Sequence, residues 1–329
     1  MKVITYSNAI NEALEEEMRR DSRVFCIGED IGLHGGAFQA TNGLIKKFGK
    51  ERVIDSPISE LGFTGMAIGA AMKGLRPIVE YMYIDFSLLA ADQIINQAAK
   101  IRYMTGGQLK VPIVIRTQSG AGRSNAGQHS QSLEAFYYHI PGLKIVMPST
   151  PKDAKGTLKS AIRDDNPILF IENKLLYHTK GEIADEEFLI PLGKANIIKK
   201  GSEVTIVSYS RMSNEVLNAV KELNNIIDIE IIDLVTLSPL DINTIISSVK
   251  KTNNLIIVQE APRKGGVASD IAATVMEKAF DYIDSPILII AGENTIIPYA
   301  ASLEVKSIPD VKKIKNTLLK YKKENQNDA

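Results

Sequence analysis

The sequence predicts an α/β protein of two domains. Short apolar runs alternate with longer stretches of helical period, which is the pattern of a mainly parallel sheet covered by helices. The chain has 329 residues, enough for two domains that each bury a core. The apolar rhythm lapses once, between Lys174 and Lys194, and then resumes. We therefore expect the two domains to join in that segment.

The first half of the chain supplies strand and helix candidates in alternation. The strand candidates are short and apolar, as buried parallel strands are, and they lie at 24–28, 77–84, 111–116, 144–149 and 167–172. The helix candidates span 7–20, 63–73, 86–103, 130–138 and 152–163. Ser7 is a plausible cap for the first helix, and Pro151 stands just ahead of the last.

A polar, acidic segment with Pro191 and two glycines separates the halves and predicts a linker. A second α/β cycle follows, with strand candidates at 203–210, 229–235, 254–260 and 286–292 and helix candidates near 212–224, 241–251, 267–280 and 309–322. We predict a first domain at 1–175, a linker at 176–195 and a second domain at 196–329.

Composition excludes several classes of protein. Lys plus Arg and Asp plus Glu each number 39, so no overall field favours nucleic acid or anionic lipid. The single cysteine, Cys26, stands in the apolar run "VFCIG" and is expected to be a buried hydrophobe without a disulfide. The N-terminus lacks the apolar core of a signal peptide, and no run approaches the roughly 18 apolar residues of a membrane span. We expect a soluble, cytoplasmic protein.

Glycine-rich loops at 32–38 and 119–127 do not fit G-x-G-x-x-G, and G-x-x-x-x-G-K-[ST] occurs nowhere in the chain. Nucleotide binding of the usual kinds is therefore weakly supported. The loop at 119–127 follows a strand candidate, where open parallel sheets place their sites, and His129 comes just after it. A functional loop and a long turn both stay open, as do a functional and a helix-capping histidine.

Glu60 stands alone as an acid in "SPISELGFTG", a stretch of small, apolar and hydroxyl residues. The residues after it predict a helix of small side chains that packs closely. A buried acid without a partner is costly, so it must be neutral, paired or bonded to a ligand. Two interpretations stay open: a functional acid, and a helix-entry glutamate with a favourable dipole interaction.

A set of ordered motifs identifies a family. They are "SPISE", "GLRPIVE", "DQIINQAAK", "QHSQS", "PGLKIVMPS", "AIRDDNP" and "IPYA". From about Ile4 to Leu319 the chain resembles the β subunit of thiamine diphosphate-dependent 2-oxo acid dehydrogenases. The resemblance implies a transketolase-like pyrimidine-binding domain followed by a transketolase C-terminal α/β domain. It also implies an α2β2 heterotetramer that serves a lipoyl acyltransferase core.

The resemblance assigns roles to individual residues. Glu60 matches the acid that hydrogen-bonds the aminopyrimidine ring of thiamine diphosphate and promotes its imino tautomer, and desolvation suits a carboxyl to sharing that proton. Phe86 matches the aromatic residue that stacks on the same ring. His129 matches the histidine that meets reaction intermediates and the lipoyl group. Leu61 takes a cofactor-side position, although a role in the core is the stronger expectation for it.

Further positions match ion and proton sites of the family. Glu29 and Asp92 match acids of a water-filled path between two cofactors. Four residues match the positions that bind potassium in some relatives, largely through backbone oxygens. They are Ile113, Ala161, Asp164 and Asn166. The G-D-G…N signature for magnesium and the diphosphate is missing. We therefore expect the α subunit to hold magnesium and the diphosphate, so that this chain supplies half of an active site.

The function implied is decarboxylation of a 2-oxo acid, above all pyruvate, with acyl transfer to lipoamide. Acetoin and a branched-chain 2-oxo acid stay open as substrates, although "IRYMTGG" and "VIRT" favour the acetoin and bacterial pyruvate branches. A non-catalytic scaffold subunit and a self-sufficient transketolase-like enzyme also stay open. Relatives carry aspartate and proline where this chain has Asn294 and Ile296, which leaves docking of the acyltransferase core undetermined.

Overall fold

The computed structural model describes residues 1–327, which form two compact units. The first comprises Met1–Ser119 and Phe136–Leu192; the second comprises Gly120–Ala135 and the chain from Gly193 onward. Each unit contains parallel strands and helices, so the predicted α/β class is confirmed. Among the described residues, no helix combines the length and the hydropathy needed to cross a bilayer.

Eight strands belong to the first unit: β1 (Lys2–Thr5), β2 (Val24–Gly28), β3 (Val53–Asp55), β4 (Arg76–Tyr81), β5 (Val114–Ser119), β6 (Lys144–Val146), β7 (Ile168–Asn173) and β8 (Lys180–Ile183). Six of them pair in parallel in the order β6-β7-β5-β4-β2-β3. Strands β1 and β8 form a separate antiparallel pair. The parallel strands are buried almost throughout, which explains their continuous apolar runs.

The helices that cover these strands are α1 (Tyr6–Arg20), α2 (Leu44–Phe48), α3 (Glu60–Met72), α4 (Ala99–Met104), α5 (Glu134–Tyr138) and α6 (Pro151–Arg163). Thr5, not the predicted Ser7, caps α1 by accepting from the amide of Asn8. Pro151 opens α6, where Thr150 is the cap. The apolar faces of α1 and α6 pack together over the sheet.

Two expectations for this half are corrected. The helix predicted at 86–103 is a 3₁₀ helix (Ile84–Ala90), then a π-helical turn (Gln93–Ala98), then α4. The predicted linker 176–195 contains a regular strand, β8. The domain boundaries predicted above stay a prediction, and the structure adds that the segment Gly120–Ala135 groups with the second unit.

The second unit contains strands β9 (Asn196–Lys199), β10 (Val204–Ser208), β11 (Ile229–Asp233), β12 (Thr236–Ser238), β13 (Leu255–Pro262) and β14 (Leu288–Gly292). Five of them form a sheet in the order β14-β13-β10-β11-β9, in which only β9 is antiparallel. Its helices are α7 (Arg211–Glu222), α8 (Ile242–Thr252), α9 (Val267–Ala279), α10 (Ala301–Ser307) and α11 (Val311–Asn327). Apolar side chains of α7 and α11 pack on this sheet and form its core.

Candidate active site

Glu60 is the first residue of α3 and is only 4% exposed. Its position in the first turn gives the carboxylate a favourable interaction with the helix dipole. Helix α3 packs against β4 and the 3₁₀ helix Ile84–Ala90, and its alanine, glycine and threonine residues are small enough to allow close approach. The fold thus holds this acid in the interior, as the sequence predicted.

Glu29 follows directly after β2 and is 5% exposed. Burial, together with the negative charges of Glu60 and Asp30, raises the pKa of Glu29 to about 7. Its Oε1 atom is buried and has no hydrogen-bond partner within residues 1–327. Glu29 and Glu60 are therefore a buried carboxyl pair in which Glu29 can carry a proton at neutral pH and donate it to Glu60.

Tyr81, which the sequence motifs did not single out, lies beside this pair. It ends β4 and is fully buried, and its hydroxyl shares a hydrogen bond of 2.6 Å with Thr64 of α3. Burial raises the pKa of Tyr81, and electrostatic interactions with Tyr137, Glu60 and Glu29 raise it further. The feature that could have identified Tyr81 is its position at the carboxyl end of a strand, where functional groups of α/β sheets commonly lie.

Phe86 is half-buried in the 3₁₀ helix Ile84–Ala90. The ring of Tyr83 meets it edge-to-face, with 5.9 Å between the ring centroids. Phe38 also packs edge-to-face on Tyr83, at 6.0 Å between the centroids. The ammonium of Lys174 lies 5.2 Å from the centroid of Tyr83. A packed aromatic row therefore fixes the orientation of Phe86 while leaving part of its ring open.

His129 lies in the segment Gly120–Ala135, here called the His129 loop, and is half-buried. The loop belongs to the second unit, whereas Glu60, Glu29 and Phe86 belong to the first. Its backbone is held by contacts with two buried glutamates, Glu260 and Glu304, that the sequence motifs also missed. No sequence spacing links these acids to the loop, since they come more than 120 residues later.

A cavity of about 600 Å³ opens beside the His129 loop within the second unit. Gly127, Gln128 and Ser130–Leu133 of the loop form one wall and Gly292–Ile297 another. Asn294 and Ile296, the two positions that depart from the family pattern, both line it. Ile296 is 82% exposed, and its Cγ2 atom would lie only 2.7 Å from a Cβ atom at Gly127.

Two further residues of the predicted site lie at the surface. Leu61 is 50% exposed, so the expectation of a core role for it is wrong, and its side chain is available to a ligand or a partner. Asp92 is exposed and accepts a hydrogen bond of 2.7 Å from Asn96. The structure gives no contact that joins Asp92 to the buried Glu29.

The four positions matched to potassium lie at the start of β5, at the end of α6 and just before β7. Their oxygens already have donors: Arg76 donates to the Asp164 carbonyl at 2.9 Å, Lys144 to its carboxylate at 2.5 Å and Arg102 to the Asn166 side chain. Within residues 1–327 there is no cluster of three or more His, Cys, Asp or Glu that could hold a metal ion. Since three cationic side chains occupy this position, it fits a further cation poorly.

Comparisons with known proteins agree with this arrangement. Residues 2–180 match the family described as "Transketolase, pyrimidine binding domain", and residues 193–314 match "Transketolase, C-terminal domain". A split-gene transketolase described as an inactive beta4 tetramer has a similar structure. It superposes with a TM-score of 0.79 at 19% identity, covering 96% of this chain and 97% of its own. That likeness shows the fold.

Relatives at much higher identity show the family. The pyruvate dehydrogenase E1 component subunit beta of Rickettsia conorii is 49% identical over 307 residues, which is 93% of this chain and 94% of the relative. The protein of the same name from Rhizobium meliloti is 49% identical, covering 95% of this chain and 69% of the relative. The mitochondrial protein of Bos taurus is 47% identical, covering 94% and 88%. This chain therefore belongs to the family of pyruvate dehydrogenase E1 component beta subunits.

Proposed function

We propose that this chain, together with an α subunit, catalyses the thiamine diphosphate-dependent oxidative decarboxylation of pyruvate and transfers the acetyl group to lipoamide. The observation that carries the proposal is the buried carboxyl pair Glu29 and Glu60, in a chain whose relatives are named for pyruvate dehydrogenase. No observation favours acetoin, a branched-chain 2-oxo acid or a non-catalytic scaffold instead.

The described residues fit the aminopyrimidine half of thiamine diphosphate. Glu60 supplies a buried carboxyl, and Phe86 supplies a partly open ring held by its aromatic neighbours. Glu29 supplies a buried oxygen that has no hydrogen-bond partner in the described part of the chain. When bound, the cofactor would supply an acidic C–H group as the source of a carbon nucleophile for the 2-oxo acid. Leu61, half exposed one residue after Glu60, is the proposed apolar contact beside the ring.

The role of Glu60 follows from its surroundings. A carboxyl in a dry site can share a proton with a ring nitrogen far better than an exposed carboxyl can, because water does not compete for the hydrogen bond. Glu29, with a pKa raised to about 7, can return a proton to Glu60 near neutral pH. The two acids are therefore proposed to keep one proton available at the ring.

His129 is proposed to act later, when the acyl group moves to lipoamide. Its half-buried imidazole has ring nitrogens that can donate or accept a hydrogen bond, and it is still reachable by a long substrate arm. It can hydrogen-bond a developing alkoxide or protonate the sulfur that is released. The glycine-rich loop that carries it follows β5, as functional loops of α/β sheets do.

The partners are also part of the proposal. An α subunit would hold magnesium and the diphosphate and complete an α2β2 heterotetramer, which a lipoyl acyltransferase core would bind. Potassium at Ile113, Ala161, Asp164 and Asn166 stays a prediction, and the donors already present there weigh against it. A cytoplasmic location likewise stays a prediction.

The test is turnover of the co-expressed α and β chains on pyruvate, acetoin and 2-oxoisovalerate with a dye acceptor. We expect the highest kcat/KM with pyruvate and none without thiamine diphosphate. A preference for acetoin or 2-oxoisovalerate would correct the substrate. Absence of turnover on all three substrates, in a complex that binds the cofactor, would overturn the assignment.

A further inference from the structure

The His129 loop adopts a backbone that its residues do not favour on their own. Four of its residues have positive φ: Gly120 at 90°, Gly122 at 108°, Ser124 at 54° and Ala126 at 59°. Glycine accepts such angles readily, but serine and alanine adopt the left-handed region at a cost. Hydrogen bonds to the loop backbone must therefore offset this cost.

Glu304 of α10 makes those contacts with two amides of the loop. Its Oε1 accepts from the amide of Gly122 and its Oε2 from the amide of Ser124, both at 2.8 Å. The Ser124 hydroxyl lies 3.5 Å from the same Oε2. Amides of neighbouring residues that converge in this way form an anion-binding concavity, and here the anion is a side chain of the same chain.

Burial makes this contact strong. Glu304 is 2% exposed, and within residues 1–327 its carboxylate forms no ion pair and accepts hydrogen bonds from the His129 loop alone. The charge of this buried carboxylate is thus compensated only while the loop stays in place. Opening the loop would leave the buried carboxylate of Glu304 without its hydrogen-bond donors, so the observed loop conformation is strongly favoured.

Glu260 makes a second contact with the loop, through one backbone amide. It accepts from the amide of Ala121 at 2.7 Å, and its other oxygen lies 3.7 Å from Arg211. Its charge therefore has a cationic neighbour whether or not the loop is in place, unlike that of Glu304. Of the two acids, Glu304 is the one whose buried charge is compensated only by the loop.

We propose that Glu304 is a positioning residue for His129, because its carboxylate binds Gly122 and Ser124 and so fixes the loop that carries the imidazole. This inference rests on the proposed function of His129. Glu304→Gln is the informative change. The amide keeps the size of the side chain but removes the charge and turns one acceptor into a donor that faces a backbone N–H.

The experiment uses the assembled enzyme with E304Q, H129A, both together, and the control E222Q, which removes an exposed carboxylate elsewhere in the second unit. Three quantities are measured for each variant: hydrogen exchange of the loop amides, cofactor affinity, and the rate of lipoyl-domain acetylation from pyruvate. We expect E304Q to speed exchange in the loop and slow acetylation about tenfold or more, with cofactor affinity within about twofold of normal. Displacement of a catalytic group by about 1 Å can lower the rate by this much.

The double variant separates positioning from general stability. If Glu304 acts through His129, E304Q should cost little in a chain that already lacks the imidazole. The inference would be overturned if the losses in acetylation rate of the two single variants multiply in the double variant. It would also be overturned if E304Q leaves hydrogen exchange in the loop unchanged. A normal acetylation rate in H129A would instead refute the proposed role of His129, and loop exchange would still show whether Glu304 holds the loop. If E304Q does not assemble, E304D, which keeps the charge with a shorter reach, should give a smaller change in the same direction.

Discussion

Burying a carboxylate such as that of Glu60 is costly unless another group shares its charge or its proton. The helix dipole offsets part of that cost, and a proton shared with Glu29 offsets more. The remaining hydrogen-bonding capacity is what a ligand would use. The same feature that made this residue conspicuous in the sequence, an acid among small apolar residues, is thus the basis of its proposed chemistry.

Glu60→Gln should leave the fold intact and lower turnover by about 100-fold or more, as expected when an acid-base group is lost. The amide is nearly isosteric, so the packing of α3 survives while proton sharing does not. The measurement is dye-linked turnover of pyruvate by the assembled enzyme, with Glu51→Gln, at an exposed position, as the control. Near-normal turnover would return Glu60 to a helix-entry role.

His129→Ala should slow acetylation of the lipoyl domain more than it weakens cofactor binding. The aminopyrimidine contacts come from Glu60 and Phe86, which belong to other segments of the chain, so removing the imidazole should leave them unchanged. Cofactor affinity is compared with the acetylation rate in the assembled variant. Equal losses in both, or no loss in acetylation, would exclude the proposed role.

At the scale of elements, regular strands and amphipathic helices were predictable, and departures from regularity were not. The helix predicted at 86–103 has no proline or glycine to mark its break into 3₁₀, π and α segments. Strand β8 is short and polar, and among the described strands it pairs with β1 alone, so no apolar run in the sequence indicated it. Glu60 and Phe86 could be matched by motif, but Glu304 becomes visible only when its hydrogen bonds to the loop are seen.

Helix α5 begins with a glutamate whose ionisation should affect stability. Glu134 is 1% exposed, Tyr209 donates to its Oε1 at 3.0 Å, and its Oε2 has no partner among the described residues. Burial raises the pKa of Glu134 to about 7. The unfolded chain loses this proton near the ordinary value of 4.5, so the folded state loses stability as the pH rises from about 4.5 to 7.

Glu134→Gln should therefore raise the thermal midpoint of the assembled enzyme at pH 8 and change it little at pH 5. The gain at pH 8 is up to about 3 kcal/mol, the free energy that separates a pKa of about 7 from the ordinary value of 4.5. Glu277→Gln, at an exposed position, is the control and should show no pH-dependent difference. The quantity compared is the difference between the midpoints of the variant and the parent enzyme. If that difference is lower at pH 8 than at pH 5, the prediction is wrong.

For the whole molecule, the alternation of apolar runs and helical periods was sufficient to predict the α/β class, because buried parallel strands must be apolar on both faces. The grouping of the His129 loop with the second unit could not be predicted. Ala121, Gly122 and Ser124 of the loop donate hydrogen bonds to acids far along the chain, and the periodicity of a sequence does not indicate such bonds.

The purified chain alone should not bind thiamine diphosphate tightly, even with magnesium present. It offers a carboxyl pair and an aromatic ring for the aminopyrimidine, but it lacks the G-D-G…N signature, and its described residues form no acidic metal cluster for the diphosphate. Most of the charge of the cofactor would therefore have no partner. Calorimetry with cofactor and magnesium should detect binding at micromolar concentrations only after the α subunit is added. Micromolar or tighter binding by this chain alone would mean that the diphosphate site lies within it and that the division of the active site between two subunits is wrong.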